Sequence, residues 1–190
     1  MIFGGSKKGN DNSNIVLNIG NDNSSIDVTK YGNDDDGHTG VFGSAREGER
    51  TGDITININS GNFYRIYGAG MNANTIGNVY INYKGGTTNR LYGGGQRGRL
   101  SNNSENEKGN ANISIGNKGK QAIIKGFLRG SGQYEGLDGE SNINISEGAK
   151  ILQNAQVAAG GYQGNVSRST LNITGGEINT DIYGGGWGII

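Results

Sequence analysis

The chain has 190 residues, of which 38 are glycine and none is proline or cysteine. Seventeen basic residues balance 17 acidic ones, so no net charge draws it to nucleic acid or to an anionic membrane. The missing cysteines exclude disulfides, thiolate metal sites and a cysteine nucleophile. No apolar run nears the roughly 20 residues of a membrane span, so membrane insertion is not expected.

From the first residues onward one phrase recurs: an aliphatic residue, an aromatic, then glycines. It reads Ile2-Phe3-Gly4-Gly5, Val41-Phe42-Gly43, Ile66-Tyr67-Gly68-Ala69-Gly70, Leu91-Tyr92-Gly93-Gly94-Gly95 and Ile182-Tyr183-Gly184-Gly185-Gly186. Weaker copies stand at Phe127-Leu128-Arg129-Gly130 and Val157-Ala158-Ala159-Gly160-Gly161. The steps from 41 to 66, from 66 to 91 and from 157 to 182 are each 25 residues. A repeat of that length marks a stack of similar units, each unable to bury its apolar face alone.

A second element alternates with period two, as in Ile15-Val16-Leu17-Asn18-Ile19, Ile54-Thr55-Ile56-Asn57-Ile58 and Val79-Tyr80-Ile81-Asn82-Tyr83. It returns at Ala111 to Ile115, at Asn142 to Ile145 and at Thr170 to Ile173. Alternation of aliphatic and polar residues predicts strands with one buried face. Ile56, Ile58, Ile81, Ile113, Ile115, Ile143, Ile145, Leu171 and Ile173 are the expected interior. Apolar residues at helical spacing are missing, so no unit contains a helix. Glycines after each alternating strand, such as Gly61 and Gly86, supply the turns.

The expected fold is all-β: a right-handed parallel β-helix, or β-solenoid, of about six or seven rungs. Residues 1–190 read as one domain, with irregular N-terminal rungs over 1–40 and regular repeats over 41–190. Segments 43–53, 71–78, 96–110, 133–141 and 162–169 are expected to emerge as variable loops from one corner. Such loops either carry recognition or mark a corner that tolerates insertion.

Stacking the units gives three columns. The polar column is Asn18, Asn57, Asn82, Ser114, Asn144 and Asn172. It is either a hydrogen-bonded amide ladder or a flat polar face for sugar or ice. The aromatic column is Phe3, Phe42, Tyr67, Tyr92, Leu128, Ala158 and Tyr183, which either packs against itself or offers sugar-stacking rings. Arg65 and Arg90 form the third, replaced elsewhere by Gly126, Gln156 and Asp181. They grip an anionic glycan or line a solvated edge. The candidate ligand-binding residues are therefore Tyr67, Tyr92, Tyr183, Arg65 and Arg90.

Catalytic residues are not expected. Sugar cleavage needs carboxylates brought together in a cleft, whereas Asp34-Asp35-Asp36 and nearby His38 crowd into one loop. His38 is the only histidine, which excludes a multi-histidine metal site. No cofactor or metal is expected.

The phrase Ile182-Tyr183-Gly184-Gly185-Gly186, preceded by Leu171-Asn172-Ile173-Thr174-Gly175-Gly176, resembles the glycine-rich repeats of bacterial cell-surface and autotransporter-like adhesins with pectin-lyase-like β-helices. The resemblance covers roughly residues 41–190. It implies an extracellular or surface-anchored stalk or adhesive surface, with a host or matrix glycan as partner. No catalytic residue carries over. Two further readings stay open: a fibre subunit that self-associates head to tail through its terminal rungs, including Ile189 and Ile190, and a carbohydrate-binding β-helix.

Overall fold

The computed structural model describes residues 1–22, 26–29, 39–101, 109–163 and 165–188. Asp34, Asp35, Asp36, His38, Ile189 and Ile190 lie outside the described residues. Among the described residues there is no helix, and every pair of named strands is parallel. The chain is a β-solenoid.

The alternating segments build one ladder of six strands: Ile15–Ile19, Ile54–Ile58, Val79–Tyr83, Ala111–Ile115, Glu140–Ile145 and Arg168–Ile173. Neighbouring strands are one full turn apart, so six strands span five turns. Ile56, Ile81, Ile113, Ile143 and Leu171 are Cα partners in succession. Register is fixed because a one-residue slip would bring the asparagines inside. The glycine-phrase strands form a second ladder. Its spine runs through Ile2–Phe3, Val41–Phe42, Asn62–Tyr67, Gly86–Tyr92 and Ala122–Arg129, and continues through Gln156–Ala158 to Ile182–Tyr183.

Between these two ladders lies the core. Ile56, Ile58, Ile81, Ile113, Ile115, Ile143 and Ile145 are fully buried, as their alternation predicts. They meet Ile66, Leu91, Leu128 and Val157 from the second ladder, which are equally buried. Each such side chain contributes roughly 1.5–3 kcal/mol by leaving water. The last rung departs from expectation: Leu171 is half-buried and Ile173 is 49% exposed, because Arg168–Ile173 is an edge of its ladder.

The segments expected as loops, with one strand from the irregular N-terminal stretch, contain a third ladder. Asp11–Asn12, Arg50–Thr51, Thr75–Ile76 and Leu100–Ser101 pair in parallel, and Leu137 continues the row by bridging Leu100. Two-residue strands leave almost no period-two signal, so they read as loop. Val28, expected in an irregular stretch, joins the second ladder opposite Phe63.

Side chains reinforce the stacking. Asn57 donates to Asn18 and Asn82 donates to Asn57, both at 2.8 Å, and Asn172 donates to Asn144 at 2.8 Å. Ser114 separates the two runs. The polar column is thus an amide ladder. A second device stands at the corner entering each alternating strand. The side-chain oxygens of Asn14, Asp53, Asn78 and Asn110 accept the backbone N–H of Asp53, Asn78, Asn110 and Glu140, at 2.8–3.1 Å.

Glycine ends the phrase because the rungs approach closely there. A Cβ on Gly68 would lie 2.1 Å from the carbonyl oxygen of Gly93, and one on Gly43 would lie equally close to that of Gly68. Gly61 and Gly86 serve differently: their φ values of 123° and 99° suit glycine alone.

Candidate functional site

The aromatic column is on the outer side of the coil, apart from the main core. Phe3, Phe42, Tyr67 and Tyr92 are stacked, with successive centroids 4.8–4.9 Å apart and interplanar angles of 6–12°. That spacing is the inter-strand distance of the sheet. Phe42, Tyr67 and Tyr92 are buried and form a small core of their own with Met71. Phe42 and Tyr92 cover the two faces of Tyr67, so its ring has no free face for a sugar. The Tyr67 hydroxyl donates to Gln133 Oε1. Burial pushes the Tyr67 hydroxyl well above its ordinary pKa, against the influence of Arg65.

Beyond Tyr92 the structure corrects the column. Tyr92 pairs with Arg129, and Leu91 with Leu128. Leu128 therefore belongs to the buried aliphatic column, and Arg129 takes the aromatic's place. Likewise Arg90 pairs with Phe127, not with Gly126. The cause is a bulge. Thr88 pairs with Ile124 and Arg90 with Phe127, so one residue, Asn89, faces two, Lys125 and Gly126. The extra residue shifts the phrase by one position relative to the residues before the bulge and leaves Leu128-Arg129-Gly130 stacked on Leu91-Tyr92-Gly93.

Where the ring stack stops, a cleft of about 460 Å³ opens. Its floor and walls come from Arg90, Tyr92, Phe127, Arg129 and Gln156 of the second ladder. Its rim comes from the corners that follow three successive rungs, through Gln133 and Tyr134, then Tyr162 and Gln163, then Trp187. Stacking persists into the corners: the N–H groups of Gln96, Gln133 and Trp187 donate to the carbonyls of Gly70, Gly95 and Gly161, each at 2.9 Å. Gln133, Tyr134 and Trp187 of the rim are thus built on laddered backbone.

Arg129 is 1% exposed. Its Nη1 donates to the carbonyls of Leu128 at 3.2 Å and Gln156 at 2.5 Å, and its Nη2 to Gln156 Oε1 at 3.1 Å. Rings of Phe127, Trp187 and Tyr162 surround the guanidinium, with centroids 5.4, 5.1 and 6.0 Å away. Burial lowers its pKa, and Tyr92 and Tyr162 oppose that shift. Arg90 lies between the rings of Phe127 at 4.9 Å and Tyr64 at 5.6 Å. Arg65 is buried over Tyr64 at 5.1 Å.

Of the five candidate residues, Arg90 and Tyr92 line the cleft. Arg65 and Tyr67 belong to the packed rungs before it. Tyr183 is 45% exposed and meets Trp187 edge-on at 5.0 Å. Sequence reasoning missed Arg129, Phe127 and the rim. Aligning Gly130 with Gly93 would have placed Arg129 opposite Tyr92, but the rim residues carry no repeat signal.

A wider recess of about 650 Å³ lies between Lys125, Lys150 and Glu177. One of its two lysines is already paired, Lys150 to Glu177 at 3.0 Å, and Asn179 and Lys150 hold the Glu177 carboxyl below its usual range. The arginine cleft has no carboxylate in its lining at all. Among the described residues no three histidine, aspartate or glutamate side chains gather as a metal site. No family model, curated protein or solved structure matches this chain.

Proposed function

We propose that this chain is an adhesive β-solenoid segment of a bacterial surface protein, a rigid rod that binds carbohydrate in the arginine and aromatic cleft. The observation that carries the reading is the composition of that cleft. The exposed ring of Tyr134 and the half-buried rings of Phe127, Tyr162 and Trp187 offer flat apolar faces. The amides of Gln133, Gln156 and Gln163 offer both donors and acceptors. A sugar presents the same pairing, an apolar ring face and a polar hydroxyl edge. The volume falls within the roughly 300–1,000 Å³ range of small-ligand sites. The ladders beneath hold these groups rigidly, which lowers the entropy lost on binding.

In this reading the partner is a host or matrix glycan, the location is extracellular, and no bond is broken. Titration calorimetry of the full chain against a panel of oligosaccharides tests it. At least one should bind, and Tyr134→Ala should weaken that binding without lowering the melting temperature. A chain that binds no oligosaccharide overturns the reading.

A further inference from the structure

This inference rests on the glycan reading and deepens it. We propose that the bound sugar carries an acid group, and that this acid supplies the counter-charge that Arg129 and Arg90 lack.

The chain's charges balance overall, yet their distribution is uneven. The ion pairs among the described residues engage Lys8, Arg46, Arg99, Lys120, Lys150 and Arg168. None engages Arg65, Arg90, Arg97 or Arg129; Lys7, Arg50, Lys84, Lys118 and Lys125 also stand outside them, but the four lysines are solvent-facing and Arg50 has Asp11 and Asp53 near it. Arg65, Arg90, Arg97 and Arg129 gather on the outer face of the second ladder and its corner, with Arg97 against Tyr134 at 5.9 Å. Arg65 and Arg90 are adjacent in register, and Tyr92 pairs with Arg129 one rung further on.

Arg129 is the most buried of these four. Its hydrogen bonds end on two carbonyls and one amide, and its other neighbours are rings. All of these are neutral. They solvate the guanidinium but do not cancel its charge. Its Nε, like that of Arg90, is buried without a hydrogen-bond partner. An unpaired charge in a low-dielectric site is costly to keep, and an opposite charge brought to the same site is correspondingly favoured. Guanidinium groups pair with carboxylate and with sulfate oxygens by charge-assisted hydrogen bonds. A sugar bearing either acid would set its ring against the aromatic rim and its oxyanion towards Arg90 and Arg129. A nucleic-acid strand would also bring anions. It would need a basic groove that tracks its backbone, whereas the site here is one recess on a chain of zero net charge.

Trp187 is the only tryptophan and stands in the cleft wall, so its emission reports occupancy directly. The full chain is titrated with four probes: a glucuronate-containing tetrasaccharide, its carboxyl-reduced neutral form, a sulfated form of that neutral backbone, and an oligodeoxythymidylate. The acidic forms should bind at least about tenfold more tightly than the neutral one. The carboxylate and sulfate arms identify which acid the site takes. Arg90→Met and Arg129→Met should each abolish that difference. Arg129 is buried, so Arg90→Met decides if Arg129→Met fails to fold. Equal binding of acidic and neutral forms overturns this inference and leaves the glycan reading standing. Binding of no sugar overturns the glycan reading itself. Tighter binding of the oligodeoxythymidylate overturns the inference in favour of a nucleic-acid strand.

Discussion

Arg129 is the Cα partner of Tyr92, so a guanidinium stands where the previous four rungs place a stacked ring. On its other side the partner is Ala158, whose small side chain cannot cover it. The cleft exists because the ring stack ends at this pair. Arg129→Phe should extend the stack by one ring and remove an uncompensated charge. An added aromatic pair is worth about 0.5–1.5 kcal/mol. The variant should melt a few degrees higher and show no change in Trp187 emission with acidic sugar. A lower melting temperature would show that Arg129 is needed for the fold.

The glycine column should respond according to what its neighbours allow. Gly68→Ala places a Cβ 2.1 Å from a backbone oxygen and 2.4 Å from Val79 Cγ1, and neither can retreat cheaply. A loss of about 3 kcal/mol or more is expected. Gly184, at the same place in the last copy of the phrase, has nothing within 4 Å of its added Cβ. Gly184→Ala should stay within about 0.5 kcal/mol of the parent. Denaturant midpoints of the two variants check the contrast.

Burial within one column should set the cost of truncation. Ile145 and Ile173 are Cα partners, yet the first is fully buried and the second is half exposed. Ile145→Ala should cost about 2–5 kcal/mol. Ile173→Ala should cost less than about 1 kcal/mol, since most of its apolar area is already in water. Equal losses in thermal melts would contradict the assigned facing.

The amide ladder has a gap that can be closed. Ser114 lies in register between Asn82 and Asn144, and asparagine runs stand on both sides of it. Ser114→Asn should join the runs and add about 0.5–1.5 kcal/mol per new hydrogen bond. The expected reading is a higher denaturant midpoint. Asn57→Ala, which removes two bonds of 2.8 Å, should lower it.

Alkaline pH should destabilise the fold. Burial raises the pKa of Tyr67, Tyr83 and Tyr92 above the ordinary tyrosine value. The unfolded chain releases these protons near pH 10, before the folded chain does. Stability from these groups is therefore complete below about pH 10 and falls as pH rises above it. Denaturant midpoints measured from pH 8 to 12 should decline over the upper half of that range. Tyr83→Phe should flatten the decline, at the loss of its 3.2 Å hydrogen bond to the Ile123 carbonyl.

By itself the sequence determined the repeat, the strand class and most of the interior. The reason is local: in a parallel coil the same position returns to the same environment every turn, so periodicity alone marks Ile56, Ile81, Ile113 and Ile143 as core. Period two also separated Asn57 from its inward neighbours. The sequence did not determine where copies of unequal length fall into register. Gly126 adds one residue to a rung, so counting on from Ile124 puts Leu128 opposite Tyr92 and counting back from Gly130 puts Arg129 there, and the backbone pairing follows the second count. Nor could it reveal the third ladder, since strands as short as Arg50–Thr51 and Thr75–Ile76 carry no period. The cleft was decided by tertiary structure alone. Its residues come from three successive strands of the second ladder and three successive corners, and their meeting depends on how far each rung bulges before the next one stacks upon it.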